Sequence, residues 1–551
     1  MLKKIFITIL VLLFCKDIVA QMVYYPLGSL GESETYRNRV VNSDFNFYFK
    51  NDLPVRFLQF KNDTSIIQEI AIDETFTDKY LKIDNLKLKS VHTFKKAFSK
   101  NFYLYRSAFY AQVEKDYVIV INPVLNFQGG KEQQTAKTLF QNTRGAEIWG
   151  NIGGAERGVG FYSLFTENQL LMPNPYRFFP DSLNFVPSEL FFKNFKKQGA
   201  VDFFQARAYF TFSAVKNYIK FQFGHDRHKI GNGYRSLILS DFAPQYLFFK
   251  INTDVKRLHY QNLFTQFSDN GQILGNTLFG KKYGAFHRLS FDVAKNFKIG
   301  VNEMVIFDRQ DSTQKNQFDL NYLNPVIFYR AVESNLGSRD NSLMALDFEW
   351  QIKNKYVVYG QFLLDEFNLK FLKSEPNWWA NKYAYQIGGR AFNLFGLENL
   401  DVLAEYNRCR PYTYSHYRTT QSYSHFNQPL AHPLGANFSE TIFEIKYRPA
   451  YKWFISSVNL ISTSGRDSSL MGKNYGGNVL RDYSSRATEF NSQMYMGQKT
   501  PMFISELMVS YMLKHNLMLD LRVNYRKQSN SDNMFLTLGM RLNTSIKKFD
   551  Y

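Results

Sequence analysis

The segment LMLDLRVNY, residues 517–525, decides the fold of this chain. Its apolar side chains recur at every second position, at Leu517, Leu519, Leu521, Val523 and Tyr525. Polar residues, among them Asp520 and Arg522, occupy the positions between. Successive side chains of a β-strand point to opposite faces, so this period of two predicts a strand with one apolar face and one charged face.

The same alternation recurs along much of the chain. It is clearest over 344–350, 356–364, 441–447, 507–513 and 534–542, and further candidate strands lie near 115–126, 138–151, 157–167, 201–213, 217–226 and 246–268. The charged residues on the faces opposite the apolar ladders include Asp347, Glu349, Glu444, Asp520 and Arg522. Charges cannot face lipid cheaply, so we expect these side chains to line an interior.

The connections between these segments alternate in length. Short links near 295, 353, 396, 449 and 515 alternate with long polar stretches at 309–341, 366–382, 409–437 and 464–503. Outer-membrane barrels have short periplasmic turns and long external loops. The sequence therefore predicts an all-β fold, an antiparallel transmembrane outer-membrane β-barrel of about 18 strands.

The composition agrees with a barrel. Aromatic residues make up 17% of the 551 residues, including 54 Phe and 36 Tyr, while the mean hydropathy is only −0.34. A lipid-facing apolar band with aromatic girdles around a polar lumen needs this balance. The net charge of +19 suits a basic lumen and loops, or attraction to anionic sugars and lipopolysaccharide. Export and the lack of a basic–aromatic recognition module exclude nucleic acid as a partner.

The N-terminus predicts export. Lys3 and Lys4 precede an apolar run over 5–14, and cleavage is expected after Ala20, so residues 1–20 form a signal peptide. Its removal leaves Cys409 as the only cysteine, which excludes an intramolecular disulfide. We expect residues 21–113 to form a small helical or irregular periplasmic cap or plug, with a helix over 80–106, and residues 114–551 to form the barrel. The last strand is expected to end near Phe549 and Tyr551.

A glycine-containing motif follows the strand predicted over 217–226. It comprises Gly224, Asp226, Gly231, Gly233, Ser240 and Asp241. It is no phosphate-binding loop, because no helix pattern follows and the lysine spacing is absent. With Ala243-Pro244, the motif resembles the capsule-assembly Wzi superfamily, although Ile230 and Asn232 stand where that family tends to have Trp and Pro. The resemblance implies an 18-stranded outer-membrane barrel that holds exopolysaccharide at the cell surface.

A second resemblance covers most of the chain from about residue 200 onward. It runs through the segments YLNP 322–325, YRA 329–331, YGQ 359–361, LDEF 364–367, WWANK 378–382, EYNR 405–408, RPYTYSH 410–416 and QPLAHPLG 428–435. These are similar to RemB-type gliding-motility proteins of Bacteroidota. The similarity implies a surface role in motility or polysaccharide handling, with motility-machinery proteins as partners, and it carries over no catalytic residue.

The candidate binding residues are aromatic. Trp378, Trp379, Tyr412, Tyr414 and Tyr417 fall in two predicted external loops. Exposed aromatic faces can stack on sugar rings, although such residues also form interfacial girdles or pack into a barrel mouth.

No cofactor, metal or catalytic site is predicted. His225 and His228 would have metal-ligand spacing only on a helix, and Ser415 and His416 are merely sequence neighbours. The sequence thus favours a non-enzymatic outer-membrane barrel acting in gliding motility or in binding and anchoring surface polysaccharide. Its partners would be outer-membrane lipid, lipopolysaccharide and polysaccharide. A porin for small polar solutes is the first alternative, and a lipid-acting barrel enzyme, which would need aligned Ser, His and Asn on the outer wall, is the second.

Overall fold

A computed structural model describes part of the chain. The described residues are 102–105, 108–113, 117–133, 135, 137–153, 158–195, 199–215, 218–269, 279–309, 317–325, 329, 337, 340–366, 369–450, 452–467, 472–514 and 516–551. The expected signal peptide and residues 21–101 of the expected cap lie outside them.

Strands dominate the described residues. In chain order they are β1 Phe102–Tyr105, β2 Ala108–Val113, β3 Tyr117–Glu132, β4 Thr138–Ile152, β5 Val159–Leu171, β6 Phe192–Phe195, β7 Ala200–Ala214, β8 Ile219–Asp226, β9 Tyr246–Val255, β10 Leu258–Ser268, β11 Lys281–Ala294, β12 Phe297–Phe307, β13 Asn341–Ile352, β14 Tyr356–Leu364, β15 Tyr383–Ala391, β16 Leu400–Cys409, β17 Ser424–His425, β18 Gln428–Pro429, β19 Phe438–Tyr447, β20 Trp453–Arg466, β21 Gln498–Lys514, β22 Leu517–Gln528 and β23 Ser531–Leu542.

Helices are short. Among the described residues, the α-helices are α1 Asn174–Ser182 and α2 Leu369–Ser374, and the 3-10 turns are Leu320–Leu323, Leu394–Gly396, Thr419–Gln421 and Tyr483–Ser485. Within the described part of the chain, none of the helices has the length and apolar character needed to cross a membrane.

The main sheet closes on itself. In the described part of the chain it contains 21 strands, of which β1, β2 and β6 are additions to the edges of longer strands. The remaining 18 form a ring in which each strand runs antiparallel to the next, and β23 pairs with β3 from Phe535 opposite Glu132 to Leu542 opposite Leu125. This confirms the predicted antiparallel barrel of about 18 strands.

Burial in the barrel is inverted relative to a soluble protein. On β22, Leu519 and Leu521 are 40% and 43% exposed on the outer face, whereas Asp520 and Arg522 are buried inside. Asp347, Glu349 and Glu444 are likewise buried, as predicted for residues that line the interior. An apolar outer wall around a charged interior is the arrangement that a lipid bilayer stabilises, so the fold is that of an outer-membrane barrel.

The alternation of connections is also as predicted. The turns between β11 and β12 and between β13 and β14 hold two and three residues, whereas β12–β13, β16–β19 and β20–β21 are joined by the long segments. The one predicted segment over 246–268 holds two strands, because the chain turns at Lys256 with a φ of 51°. The long segments mark the external end of the barrel.

The expected end of the last strand is wrong, and the expected helix over 80–106 is contradicted only at its described residues. The last strand ends at Leu542, and residues 543–551 (the C-terminal tail) turn back inside the barrel, where the carbonyl of Phe549 accepts a hydrogen bond from Tyr176 (2.7 Å). The expected helix over 80–106 also fails in its described part, because Phe102–Tyr105 is strand β1, paired with β2.

The interior of the barrel is occupied by chain. Residues 227–245 (the luminal loop) leave β8 and reach the opposite wall, where Gln361 of β14 accepts from the Leu237 amide (2.8 Å) and Glu405 of β16 accepts from the Tyr234 amide (2.7 Å). The loop over 410–437 descends onto it, since Tyr423 donates to the carbonyl of Ile238 (2.6 Å). These contacts fix the inner ends of the external loops.

Candidate functional site

Three external loops meet at one aromatic cluster. The loops are 365–382 (described except for 367 and 368), 410–437, and 467–497 (described except for 468–471). They bring together a set of rings that we call the aromatic patch: Trp378, Trp379, Tyr412, His416, Tyr417 and Tyr483. Tyr483 lies at its centre, with ring centroids 4.8 Å from Trp379, 6.0 Å from His416 and 6.3 Å from Tyr417.

Charged groups hold the two tryptophans in place. Glu489 accepts hydrogen bonds from the indole nitrogens of Trp378 (3.2 Å) and Trp379 (2.9 Å), and it pairs with Arg486. The guanidinium of Arg486 lies 4.4 Å from the centroid of the Trp379 ring, at cation–π distance. Partial burial by itself would raise the pKa of Glu489. Hydrogen bonds from Arg486 and the two indoles outweigh that effect and hold the pKa of Glu489 below its ordinary value.

A buried lysine supports the patch from below. Lys382 is fully buried, with its Nζ 4.4 Å from the centroid of the Tyr483 ring. It pairs with Asp365 (3.8 Å) and Glu366 (3.6 Å) and donates to the carbonyl of Ser415 (3.2 Å). The lysine therefore links the 365–382 and 410–437 loops by charge and by hydrogen bonding.

The neighbouring His416 is kept neutral. Burial, followed by the positive charge of Lys382, lowers the pKa of His416 to about 4. Its Nδ1 accepts from the Arg418 amide (3.3 Å), while Ser415 Oγ donates to the carbonyl of Tyr412 (2.6 Å). The adjacent serine and histidine thus bond to other groups, and this pair does not form a nucleophile–base dyad.

The predicted sugar-binding residues divide into two groups. Trp378 is half-buried and Tyr417 is exposed, so both present ring surface, and Trp379 is buried behind them. Tyr412 and Tyr414 are 2% and 1% exposed. Tyr414 points inward, away from the patch, where it stacks on Tyr423 (5.5 Å) and donates to the carbonyl of Leu237 (2.7 Å).

The backbone around Tyr412 is strained. Tyr412 and Tyr414 have φ values of 64° and 72°, in the left-handed region that side chains rarely adopt. Tyr412 keeps this conformation because its hydroxyl donates to the carbonyl of Asn474 (2.8 Å) and its amide to that of Gly476 (2.9 Å). The 467–497 loop therefore holds the 410–437 loop in its bent form.

Three contributors to the site, Tyr483, Arg486 and Glu489, carry no recognisable pattern in the sequence. They lie in the 467–497 loop, within the stretch 464–503 that the sequence predicts as external, and this loop has no two adjacent aromatic residues. Only the folding of that loop across Trp379 brings them to the patch. Tyr483 has no aromatic neighbour in the sequence, so no local pattern marks it as the centre of the patch.

The glycine-containing motif lies in and beside the lumen, not at the patch. Asp226 pairs with Arg207 of β7 (2.5 Å), and Ser240 donates its amide to the carbonyl of Leu430 (2.9 Å), with Asp241 following it. Gly231 has a φ of 104°, and a Cβ there would lie 2.1 Å from Nε2 of Gln361. A Cβ on Gly233 would lie 2.6 Å from Glu405, whereas Gly224 belongs to β8. Because Gly231 and Gly233 have no Cβ, the luminal loop can lie close against the opposite wall of the barrel.

The described residues contain no group of three or more His, Cys, Asp or Glu side chains placed to hold a metal ion. Cys409 is a buried free thiol.

The fold defines the class of protein as an outer-membrane β-barrel. No protein-family model matches the chain, and no curated protein sequence matches it. Among solved structures, the chain is similar to Wzi of Escherichia coli, an outer-membrane protein involved in group 1 capsule assembly and described as a carbohydrate-binding β-barrel. The TM-score is 0.50 at 12% identity, over 97% of this chain and 100% of that one.

Two porins show a weaker likeness. OprD of Pseudomonas aeruginosa has 10% identity and a TM-score of 0.41, over 78% of this chain and 96% of that one. A BenF-like porin from Pseudomonas fluorescens has 9% identity and a TM-score of 0.42, over 78% and 99%. At such identities the similarity to Wzi confirms the expected barrel architecture, and the resemblance to RemB-type proteins stays a prediction.

Proposed function

We propose that this chain binds cell-surface polysaccharide at the outer membrane through the aromatic patch. The observation that carries the proposal is the convergence of Trp378, Tyr417 and Tyr483 from three loops, each with part of its ring open to solvent. Amphipathic rings with polar neighbours suit a sugar, which has an apolar ring face and hydroxyls at its edge. Glu489 and Arg486 supply carboxylate and guanidinium groups beside the rings.

A rigid platform favours this role. Ordering flexible loops on binding costs free energy, and a preformed surface avoids that cost. Lys382, Glu489 and the Tyr412–Asn474 hydrogen bond already hold the three loops together. The buried luminal loop supports them from beneath, and the carbohydrate-binding Wzi barrel has the same fold.

The test is binding of the detergent-solubilised protein to the surface polysaccharide of the producing cell. We compare the wild type with a Trp378→Ala/Tyr417→Ala variant, because both rings are accessible and neither is a buried support. Trp350→Ala is the matched control, since Trp350 is 47% exposed on the outer wall of β13. Saturable binding by wild type and control, weakened at least tenfold in the double variant, is expected. Equal binding by all three proteins would refute the patch as the site.

The resemblance to RemB-type proteins extends the proposal to gliding motility. A deletion strain should then spread poorly on agar and should recover with the wild-type gene. The same proposal has the chain exported with cleavage after Ala20, so the mature protein should begin at Gln21. Normal spreading of the deletion strain would remove the motility role and leave the polysaccharide role standing.

A pore for small polar solutes is the second candidate. The observation that favours it is the ring of 18 strands, because barrels of 16 to 18 strands are wide enough for an aqueous channel. The luminal loop and the C-terminal tail, however, lie across that interior. Conductance of the intact protein in planar bilayers separates an open pore from a closed binding protein.

A further inference from the structure

Specific contacts hold the C-terminal tail inside the lumen. Strand β23 carries the chain to Leu542 at the end of the barrel that bears the short turns, and residues 543–551 then return through the interior. Two hydrogen bonds fix the turn. Asn543 donates to the carbonyl of Pro123 on β3 (2.9 Å), and Arg541 donates to the carbonyl of Thr544 (2.9 Å).

Above the turn, the tail runs alongside β22. Successive inward-facing residues of that strand donate side-chain hydrogen bonds to alternate carbonyls of the tail: Arg522 to Lys547 (2.9 Å), Asn524 to Phe549 (3.5 Å) and Arg526 to Tyr551. The separation in sequence is 25 residues in each case. A constant separation means that the tail is extended and parallel to β22, so side chains of the wall take the place of a neighbouring strand.

The two sides of the tail make different contacts. Phe549 and Tyr551 lie among aromatic rings, and Tyr551 is 5.4 Å from Phe179 of α1 and 5.4 Å from Phe242 of the luminal loop. Asp550 faces the other way. It accepts from the hydroxyl of Tyr234 (2.6 Å) and pairs with Arg235 (3.3 Å). The tail therefore joins the barrel wall to the luminal loop.

The charged residues in and around the tail form ion pairs. Arg235 also pairs with Glu440 of β19 (3.4 Å), and Lys547 pairs with Glu189 (2.9 Å). Phe549, Asp550 and Tyr551 are all at least nine-tenths buried. Buried charges are costly without partners. Residues 543–551, held by paired charges and an aromatic cluster, are therefore a structural component of the lumen.

We infer that the C-terminal tail is a built-in plug, which closes the lumen between the β22–β23 wall and the luminal loop. The tail extends from the end of β23 to the level of Arg526, two residues before the external end of β22. Closure of the lumen is independent of whether the external patch binds sugar. The inference thus goes beyond the proposed function and does not rest on it.

Conductance in planar bilayers tests the plug. The proteins are the full chain, a truncation that lacks 547–551, and a full-length Arg522→Ala/Arg526→Ala variant whose tail has lost two of its donors. The full chain is expected to conduct little, the truncation to show steady open channels, and the double variant to open intermittently. A synthetic peptide of residues 543–551 should block the truncated protein from one side of the bilayer, and a scrambled peptide should not.

The controls make each outcome decisive. Heat-dependent migration in detergent gels shows which proteins contain a folded barrel. A folded truncation that conducts no more than the full chain would overturn the plug, as would a full chain that conducts as freely as the truncation. If the truncation does not fold, the full-length double variant decides, and its staying as closed as the wild type would overturn the inference.

Discussion

Arg288 and Asp347 lie two strands apart in the barrel wall and form a bidentate ion pair inside it. Arg288 Nε donates to one carboxylate oxygen (3.1 Å) and Nη2 to the other (2.7 Å). Asn302, on the strand between them, donates to the same carboxylate (2.7 Å). Strands β11, β12 and β13 are thus tied together by side chains as well as by their backbone ladders.

Arg288→Ala should destabilise the barrel by about 3–5 kcal/mol, because it leaves the buried Asp347 carboxylate without its charge partner. The measurement is urea unfolding of the protein folded into lipid vesicles. Arg481→Ala is the control, since Arg481 pairs with Asp467 in a partly exposed loop position and its loss should cost about 0–1 kcal/mol. A similar change in both variants would show that the luminal pair contributes no more than a surface pair.

Gly231→Ala should lower the stability of the luminal loop by about 1–3 kcal/mol. Its φ of 104° is unfavourable for alanine, and the new Cβ would lie 2.1 Å from Nε2 of Gln361. Gly129→Ala is the matched control, because nothing lies within 4 Å of a Cβ built there. Protease resistance of the loop in detergent, compared for the two variants, checks the prediction. Equal resistance would mean that Gln361 can move without cost.

The strands could be predicted because each carries its own signal. In residues 517–525 the apolar and charged faces separate by position alone, and the structure places Leu521 outside and Arg522 inside. The lengths of the connections distinguished the external loops from the short turns. These features are local, so a single sequence contains them.

The path of the chain through the lumen could not be predicted in the same way. Phe549 and Tyr551 were expected to end a strand, yet they pack on Tyr176, more than 370 residues away in sequence. Tyr414 belongs to the same run as Tyr412 but turns inward to Leu237. Interior packing between irregular segments has no period, and only the three-dimensional arrangement shows which ring is buried and which is open.

The destabilisation caused by a charged side chain on the outer wall should depend on its depth in the bilayer. Leu521 is 43% exposed on the outer face near the middle of β22, so Leu521→Arg should destabilise the protein in bilayers by about 2–4 kcal/mol. Leu513→Arg, beside the short turn after β21, should cost only about 0–1 kcal/mol because its guanidinium can reach the headgroups. Folding equilibria in vesicles measure both. Equal costs would contradict the predicted position of the membrane.

The external loops should loosen as the pH falls from about 6.5 to 4. Burial and the charge of Lys382 lower the pKa of His416 to about 4, against 6.5 for the ordinary residue. Between these values the unfolded loop binds a proton that the folded loop does not, so the stabilising contribution is complete above pH 6.5 and is lost as the pH falls toward 4. It amounts to at most about 3.5 kcal/mol, since one pKa unit corresponds to about 1.4 kcal/mol.

Hydrogen–deuterium exchange of residues 410–423, corrected for the intrinsic pH dependence of exchange, measures this effect. Protection in the wild type should fall on acidification, because protonated His416 would lie beside Lys382 and Arg418 with its ring packed on Tyr417 and Tyr483. His416→Phe keeps a ring at this position but cannot take up a proton, so its protection should change little between pH 7 and 4. If both proteins lose protection equally, another group controls the loop, and Asp365 beneath Tyr414 would be the next to replace.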